Sequence, residues 1–297
     1  MPTEKKARHA GPVLALLLLV PLLFTLSLGP RLAVVGQTPL GMAGWNAAGS
    51  AWVAEQWQKE GPLRLRLGMY WDGPHVETPT LNQREQYVSF PPGAIVLLYL
   101  YAQALGQTAT PALAQVLSLL LQCAVATALA GLTYLLLMRL DLGRWRMCAL
   151  SLVPGLAYCW FPSPYYEHAV GYFSDQAVVL PWVVLTGLES LRPARGRRWW
   201  YAAIFMVAFI GLITDWLALC VGLVLGACHL IRTVATHSIE SNRLKNLRRL
   251  GRATLCVAAP YAAALAAYAA LLTLWGAWAT LAERATLRAG EGGALFA

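Results

Sequence analysis

Side chains that can transfer protons or bind an anion are concentrated in one turn-rich stretch. Residues 69–93 read MYWDGPHVETPTLNQREQYVSFPPG. Long stretches rich in turn-forming residues commonly carry function. The residues with acid, base or hydroxyl chemistry are Asp72, His75, Glu77, Arg84, Glu85 and Tyr87. Each of them alone also suits a solvated loop, so their surroundings must decide.

A second stretch, residues 160–183, carries Glu167, His168 and Asp175 within WFPSPYYEHAVGYFSDQAVVLPWV. If a helix begins near Ser174, Asp175 lies in its first turn, where the helix dipole stabilises a carboxylate by about 0.3 to 1 kcal/mol. Asp175 is therefore either a capping residue or a carboxylate for metal binding or catalysis at the membrane surface. Glu167 is the accompanying metal-ligand candidate.

The composition indicates what must position these residues. Hydrophobic residues make up 58% of the 297 residues, charged residues 12%, and the mean hydropathy is +0.53, whereas soluble domains are about 25% charged. We therefore predict an all-α integral membrane protein whose first apolar run is a retained anchor. The seven candidate spans are residues 13–28, 112–138, 147–160, 169–188, 199–214, 216–231 and 253–278.

A further apolar run, residues 94–105, is short and bounded by Pro91-Pro92-Gly93 and Gly106. With the N-terminus in the cytoplasm, 16 of the 23 basic residues lie on the cytoplasmic side if this run does not cross the membrane. Only 5 lie there if it does cross. The positive-inside rule therefore predicts a helix that dips in from outside or lies along the interface, an ordinary short tilted span being the alternative. The N-terminus is then cytoplasmic and residues 29–110 form one large extracytoplasmic region.

Two further features belong to the outer side. Residues 41–61 place Trp45, Trp52 and Glu55 at helical spacing, which predicts an interfacial helix or a simple aromatic belt. Asp215 lies in a tight turn between two spans, where it either caps a helix or joins a shared outer cleft with the other acids.

Several classes of function are disfavoured. The net charge of +9 follows from the cytoplasmic loops and does not indicate nucleic-acid binding. The six cysteines all fall in apolar runs with no CxxC pair, which supports neither a disulfide framework nor a thiolate metal site. No phosphate-binding glycine motif occurs. The basic segment 232–252 is either an amphipathic surface helix or a solvated loop.

The order of these features resembles the GT-C glycosyltransferases, integral membrane enzymes that include protein O-mannosyltransferases and aminoarabinose transferases. The similarity covers nearly the whole chain, as one domain of residues 1–297. It consists of an anchor helix, a large outer loop, a Y-x-x-F-P-P-G segment before a dipping helix, a span ending in MRLDLGR, the YFSDQAVVLPW segment and the TDW turn.

This resemblance implies transfer of a sugar, with inversion, from a polyprenyl-phosphate donor to a hydroxyl at the outer face of a bacterial plasma membrane. The family's catalytic base is an aspartate early in the outer loop. This sequence has Gly41-Met42-Ala43-Gly44-Trp45-Asn46 there, and neither Ala43 nor Asn46 can act as a base. Glu55, Asp72 and Glu77 are the expected substitutes.

The leaving phosphate requires cationic or hydrogen-bonding groups. Arg84, His75, His168 and Tyr87 are the expected phosphate ligands, and a divalent metal held by Asp175 and Glu167 is the alternative source of positive charge. The helix at residues 94–105 is expected to line the groove for the polyprenyl tail.

Three alternatives remain open. The chain stops at GEGGALFA, soon after the last span, which suggests a truncated product or a minimal module. The missing aspartate also fits a non-catalytic relative that binds lipid-linked sugar or scaffolds a partner. A transporter is a weaker third reading, because the spans contain almost no charge at mid-depth.

Overall fold

The computed structural model describes residues 2–38, 41–71, 84–140, 142–191, 198–237 and 243–294. Within these residues the regular secondary structure is helical, apart from one isolated antiparallel bridge between Tyr70 and Gln86, which confirms the predicted all-α class. The helices of the described chain are α1 (Pro2–Thr25), α2 (Leu28–Leu32), α3 (Met42–Glu60), α4 (Gly93–Ala104), α5 (Pro111–Leu137), α6 (Arg144–Trp160), α7 (Pro162–Val170), α8 (Ser174–Ser190), α9 (Arg198–Thr214), α10 (Leu217–His237), α11 (Arg243–Trp275) and α12 (Trp278–Ala294).

Two helices in the described ranges are long and apolar enough to cross a membrane. They are α5 and the Ala258–Trp275 part of α11. Shorter apolar helices occur at Gly11–Thr25, Gly93–Ala104, Trp199–Thr214 and Leu217–Cys228. These features support association with a membrane.

The directions of the central helices define two ends of the bundle. Thr110 caps the N-terminus of helix α5, and its hydroxyl accepts a hydrogen bond from the Leu113 N–H at 3.2 Å. Just beyond its other end, Arg139 donates to the Ser190 carbonyl at the end of α8 at 2.6 Å. Helices α5 and α8 are therefore parallel. We call the end where both begin the loop face.

The remaining long helices alternate in direction. Helix α6 packs its Gly155 against Ala126 of α5, and its Cys148 lies beside Pro12 near the start of α1. At the loop face, Ser174 contacts Asp215 in the turn between α9 and α10. Helices α1, α6 and α9 therefore end at the loop face, and α10 begins there.

Helix α4 begins and ends at the loop face. A Cβ on Gly93 would lie 2.4 Å from the Ile213 carbonyl oxygen at the end of α9, so only glycine allows this approach. After the other end of α4, Gln58 donates to the Gln107 carbonyl and accepts from the Ala109 N–H, both at 2.8 Å. Ala109 directly precedes α5. This path agrees with the predicted helix that enters and leaves on one side.

The main core beneath the loop face is formed by α3, α4 and the first half of α5. Trp57 is almost fully buried there and its indole donates to the Gly68 carbonyl at 2.8 Å. This core includes Leu98 of α4 and Leu117 of α5. It holds α3 and α4 as a layer over the start of α5, as expected for helices outside the main bundle.

Two elements differ from the sequence-based expectation. The stretch 160–183 contains α7, because Pro162 suits the first helical position, where its missing N–H costs nothing. The basic residues from Arg243 onward are neither a loop nor a separate surface helix. They form the beginning of α11, a continuous helix of 33 residues.

Candidate functional site

Three segments distant in sequence meet at the loop face: the start of α4, the start of α8 and the turn between α9 and α10. Gly93 lies against the end of α9, as described above. The Ser174 hydroxyl donates to Asp215 Oδ2 at 2.5 Å. The rings of Phe90 and Phe173 meet edge to face at 5.6 Å between centroids. The three segments are therefore in direct contact at the loop face, and their use as one site remains a prediction.

Asp215 has a structural position in this region. It is 1% exposed, and its Oδ1 accepts a hydrogen bond from the Leu217 N–H at 2.7 Å at the start of α10. A buried carboxylate needs such donors to offset its lost hydration. The capping alternative for Asp215 is confirmed.

Asp175 lies in the first turn of α8 and is exposed. That turn is fixed by Gln176, whose side-chain oxygen accepts from the Phe173 N–H at 2.7 Å. The Gln176 N–H in turn donates to Asp175 Oδ1 at 3.1 Å. Asp175 lies within electrostatic range of Glu167 and of Asp215, whose carboxylate accepts the hydrogen bond from the neighbouring Ser174.

An aromatic wall stands beside these acids. It consists of Trp45, Trp71, Tyr87, Phe90 and Phe173. The centroid distances are 4.9 Å for Trp45 to Trp71, 5.5 Å for Trp71 to Tyr87 and 6.1 Å for Tyr87 to Phe173. Such ring faces can pack against the apolar faces of a sugar or against a lipid chain.

Three hydroxyl and indole groups hold the segment before α4 in place. The Trp216 indole donates to the Ser89 carbonyl at 3.0 Å, and the Tyr268 hydroxyl donates to the Val88 carbonyl. The buried Tyr172 hydroxyl donates to the Ala94 carbonyl at 2.7 Å. Sequence reasoning missed these residues. For Tyr172 and Trp216 the available signal was their position near the start of an apolar run, whereas Tyr268 lies inside one.

The expected phosphate ligands have different positions. Arg84 makes a two-pronged ion pair with Glu60, at 3.0 and 3.1 Å, which compensates its charge. Tyr87 belongs to the aromatic wall. His168 is 3% exposed, with Nδ1 3.0 Å from the Ser118 hydroxyl and Nε2 2.8 Å from the Tyr158 hydroxyl. Both ring nitrogens thus have protein partners, and His168 ties α7 to α5 and α6. His75 lies outside the described residues.

His168 is part of a buried polar network that sequence reasoning missed. Its members are Arg31, Gln115, Ser118, Gln122 and His168. Arg31 is fully buried, donates to Gln122 Oε1 and the Cys159 carbonyl, and lies 4.1 Å from the Tyr165 ring centre. Burial lowers the pKa of His168 to about 4, and the Arg31 charge adds to the decrease. The signal was the spacing of Gln115 and Gln122 on one face of an apolar helix.

The candidate bases and the metal site remain predictions. Asp72 and Glu77 lie outside the described residues. Glu55 forms an ion pair with Lys59 one turn along α3, at 2.7 Å. In the parts of the chain that the structure describes, no group of three or more His, Cys, Asp or Glu side chains is arranged to hold a metal ion. The assignment of Asp175 and Glu167 as metal ligands therefore stays a prediction.

No protein-family model matches the chain, and neither a curated protein nor a solved structure does.

Proposed function

We propose that this protein is a membrane glycosyltransferase of the GT-C type, with its active site at the loop face. In this proposal α1, α5, α6, α8, α9, α10 and α11 cross a bacterial plasma membrane, and the loop face is extracytoplasmic. The observation that supports it best is the convergence of Asp175, the aromatic wall and the FPPG segment from separate parts of the chain.

The proposed reaction forms a bond between an acceptor oxygen and the anomeric carbon of the sugar. The bond from that carbon to the phosphate oxygen breaks, and the polyprenyl phosphate leaves with the electron pair. The acceptor proton passes to a carboxylate, for which Asp72, Glu77 and Glu55 are the candidates and Asp175 a further one, because its carboxylate is exposed in the first turn of α8 at the loop face. Attack from the face opposite the phosphate inverts the anomeric centre.

The test is transfer of labelled sugar from polyprenyl-phosphate donors by the purified protein in lipid. We expect the variant that removes the base to lose about 10²- to 10⁴-fold in rate. The variants to compare are Asp72→Asn, Glu77→Gln, Glu55→Gln and Asp175→Asn. Glu283→Gln is the matched control, since Glu283 is an exposed acid on α12. Activity that survives all four changes would reject this site.

One observation favours a non-catalytic relative as the second candidate. The start of α3, where the resemblance expects the catalytic aspartate, lies beside Gly171 in the turn between α7 and α8. The residue there is Ala43, whose Cβ would lie 3.4 Å from a Cβ on Gly171. Polyprenyl phosphate binding with equal affinity in wild type and Asp72→Asn, with no turnover in either, would select this candidate.

A further inference from the structure

An apolar groove runs along α5 in the helix bundle. Its floor is α5 and its walls are α1 and α8, and its volume is about 710 Å³. The lining runs along α5 from Leu120 to Leu135, which is about 22 Å of helix. One leaflet of a bilayer contributes about 15 Å of hydrocarbon. The groove is therefore long enough for an extended hydrocarbon chain.

The lining of the groove suits hydrocarbon, and the Thr127 hydroxyl within it is already hydrogen-bonded. Small residues, Ala128 and Gly131 on α5 and Gly187 on α8, open the space, and a Cβ on Gly131 would meet nothing within 4 Å. The Thr127 hydroxyl in the floor donates to the Cys123 carbonyl of its own helix at 2.8 Å. An apolar occupant therefore leaves no polar group newly unpaired.

A cation lies at the end of the groove opposite the loop face. Arg139 follows Leu135 of the floor by one helical turn, and its guanidinium donates to the Ser190 carbonyl at 2.6 Å, next to Leu191 of the wall. Arg139 is exposed. A guanidinium carries five N–H donors and matches a phosphate geometrically, so one bond to Ser190 leaves donors for an anion.

We propose that this groove binds one acyl chain of an anionic phospholipid whose phosphate is held by Arg139. The apolar groove accounts for the acyl chain, and the Arg139 charge accounts for the anionic phosphate. Arg139 lies at the end of the groove, where the head group of a lipid embedded in it would reach the membrane surface. Anionic lipids also enrich the leaflet that faces basic loops. The proposal requires insertion in a membrane but not sugar transfer, so it stands or falls independently of the proposed activity.

The first test fills the groove. Ala128→Phe places a ring in its floor, and Ala149→Phe, on an exposed position of α6, is the matched control. The full chain is reconstituted in nanodiscs of equal phosphatidylcholine and phosphatidylglycerol, released into detergent and weighed by native mass spectrometry. We expect one retained phosphatidylglycerol on wild type and Ala149→Phe, and none on Ala128→Phe with an unchanged helical circular-dichroism spectrum.

The second test removes the cation. In Arg139→Gln we expect the preference for phosphatidylglycerol over phosphatidylcholine to fall about fivefold. Arg146 is an exposed arginine at the same end of the bundle, and Arg146→Gln is expected to keep the wild-type preference. Equal lipid retention in Ala128→Phe and wild type would overturn the proposal. So would an unchanged preference in Arg139→Gln, or a protein dimer that replaces the lipid and is lost in Ala128→Phe.

Discussion

Glu167 and His168 are joined by one peptide bond, yet they belong to regions with opposite surroundings. His168 enters the buried polar network, where both of its ring nitrogens have protein partners. Glu167 is half-exposed and contributes negative charge to the acids around Asp175. Residue type alone made both of them candidates. The comparison shows that burial and available partners decide which of two polar neighbours can meet a substrate.

The buried network should be the more costly region to disturb. Gln122→Leu removes the acceptor for Arg31 and two hydrogen bonds to the Tyr158 and Pro164 carbonyls. We expect the free energy of unfolding to fall by about 3 to 5 kcal/mol, because the buried partners remain without replacements. Thermal unfolding in detergent measures this. Gln103→Leu, on an exposed position of α4, is the control, and equal stability of the two variants would contradict the account.

The same network should respond to acid. The pKa of His168 is about 4 in the folded protein against about 6.5 when unfolded. The unfolded chain therefore binds a proton first as the pH falls, and stability declines from pH 6.5 towards pH 4 by up to about 3 kcal/mol. Unfolding midpoints across this range should show that decline in the wild type and lack this component in His168→Gln. An identical pH profile in both proteins would show that His168 does not titrate as described.

Gly93 lies at the boundary between the packed interior and the open site. Gly93→Ala puts a Cβ against the Ile213 carbonyl oxygen, and we expect a loss of about 1 to 3 kcal/mol from overpacking. Gly131→Ala is the matched control, since nothing lies within 4 Å of its added Cβ. That change should be neutral or slightly stabilising in a helix interior. If both variants have the same thermal midpoint, the close approach of α4 to α9 is wrong.

The open region should tolerate substitution best. Asp175→Asn alters an exposed side chain, and we expect the unfolding free energy to change by less than about 0.5 kcal/mol. A stability loss comparable to that of Gln122→Leu would place Asp175 among the structural residues and end the contrast between the two regions.

The elements with sharp apolar boundaries were predicted best. Residues 112–138 were expected as a span and α5 is Pro111–Leu137, and the short helix at 94–105 is α4 at Gly93–Ala104. Such boundaries are set locally by prolines and glycines, which a sequence displays directly.

The interior contacts were not predictable in the same way. An apolar run does not reveal which of its faces meets other helices, so the partners of Arg31 and Gln122 could not be identified. The meeting of Ser174 with Asp215 was expected only as a shared face, because topology brings loops to one side without fixing their contacts. Asp72, His75 and Glu77 lie outside the described residues and stay predictions.

The central claim is that both ends of α4 lie on the side where α8 begins. Labelling with a membrane-impermeant maleimide tests it in sealed vesicles, with Glu85→Cys before α4, Gln107→Cys after it and Arg146→Cys at the opposite end of the bundle, in a background without the natural cysteines. We predict that the first two react from one side and the third from the other. Labelling of Glu85→Cys and Gln107→Cys from opposite sides would mean that α4 crosses the membrane, and the shared site at the loop face would be refuted.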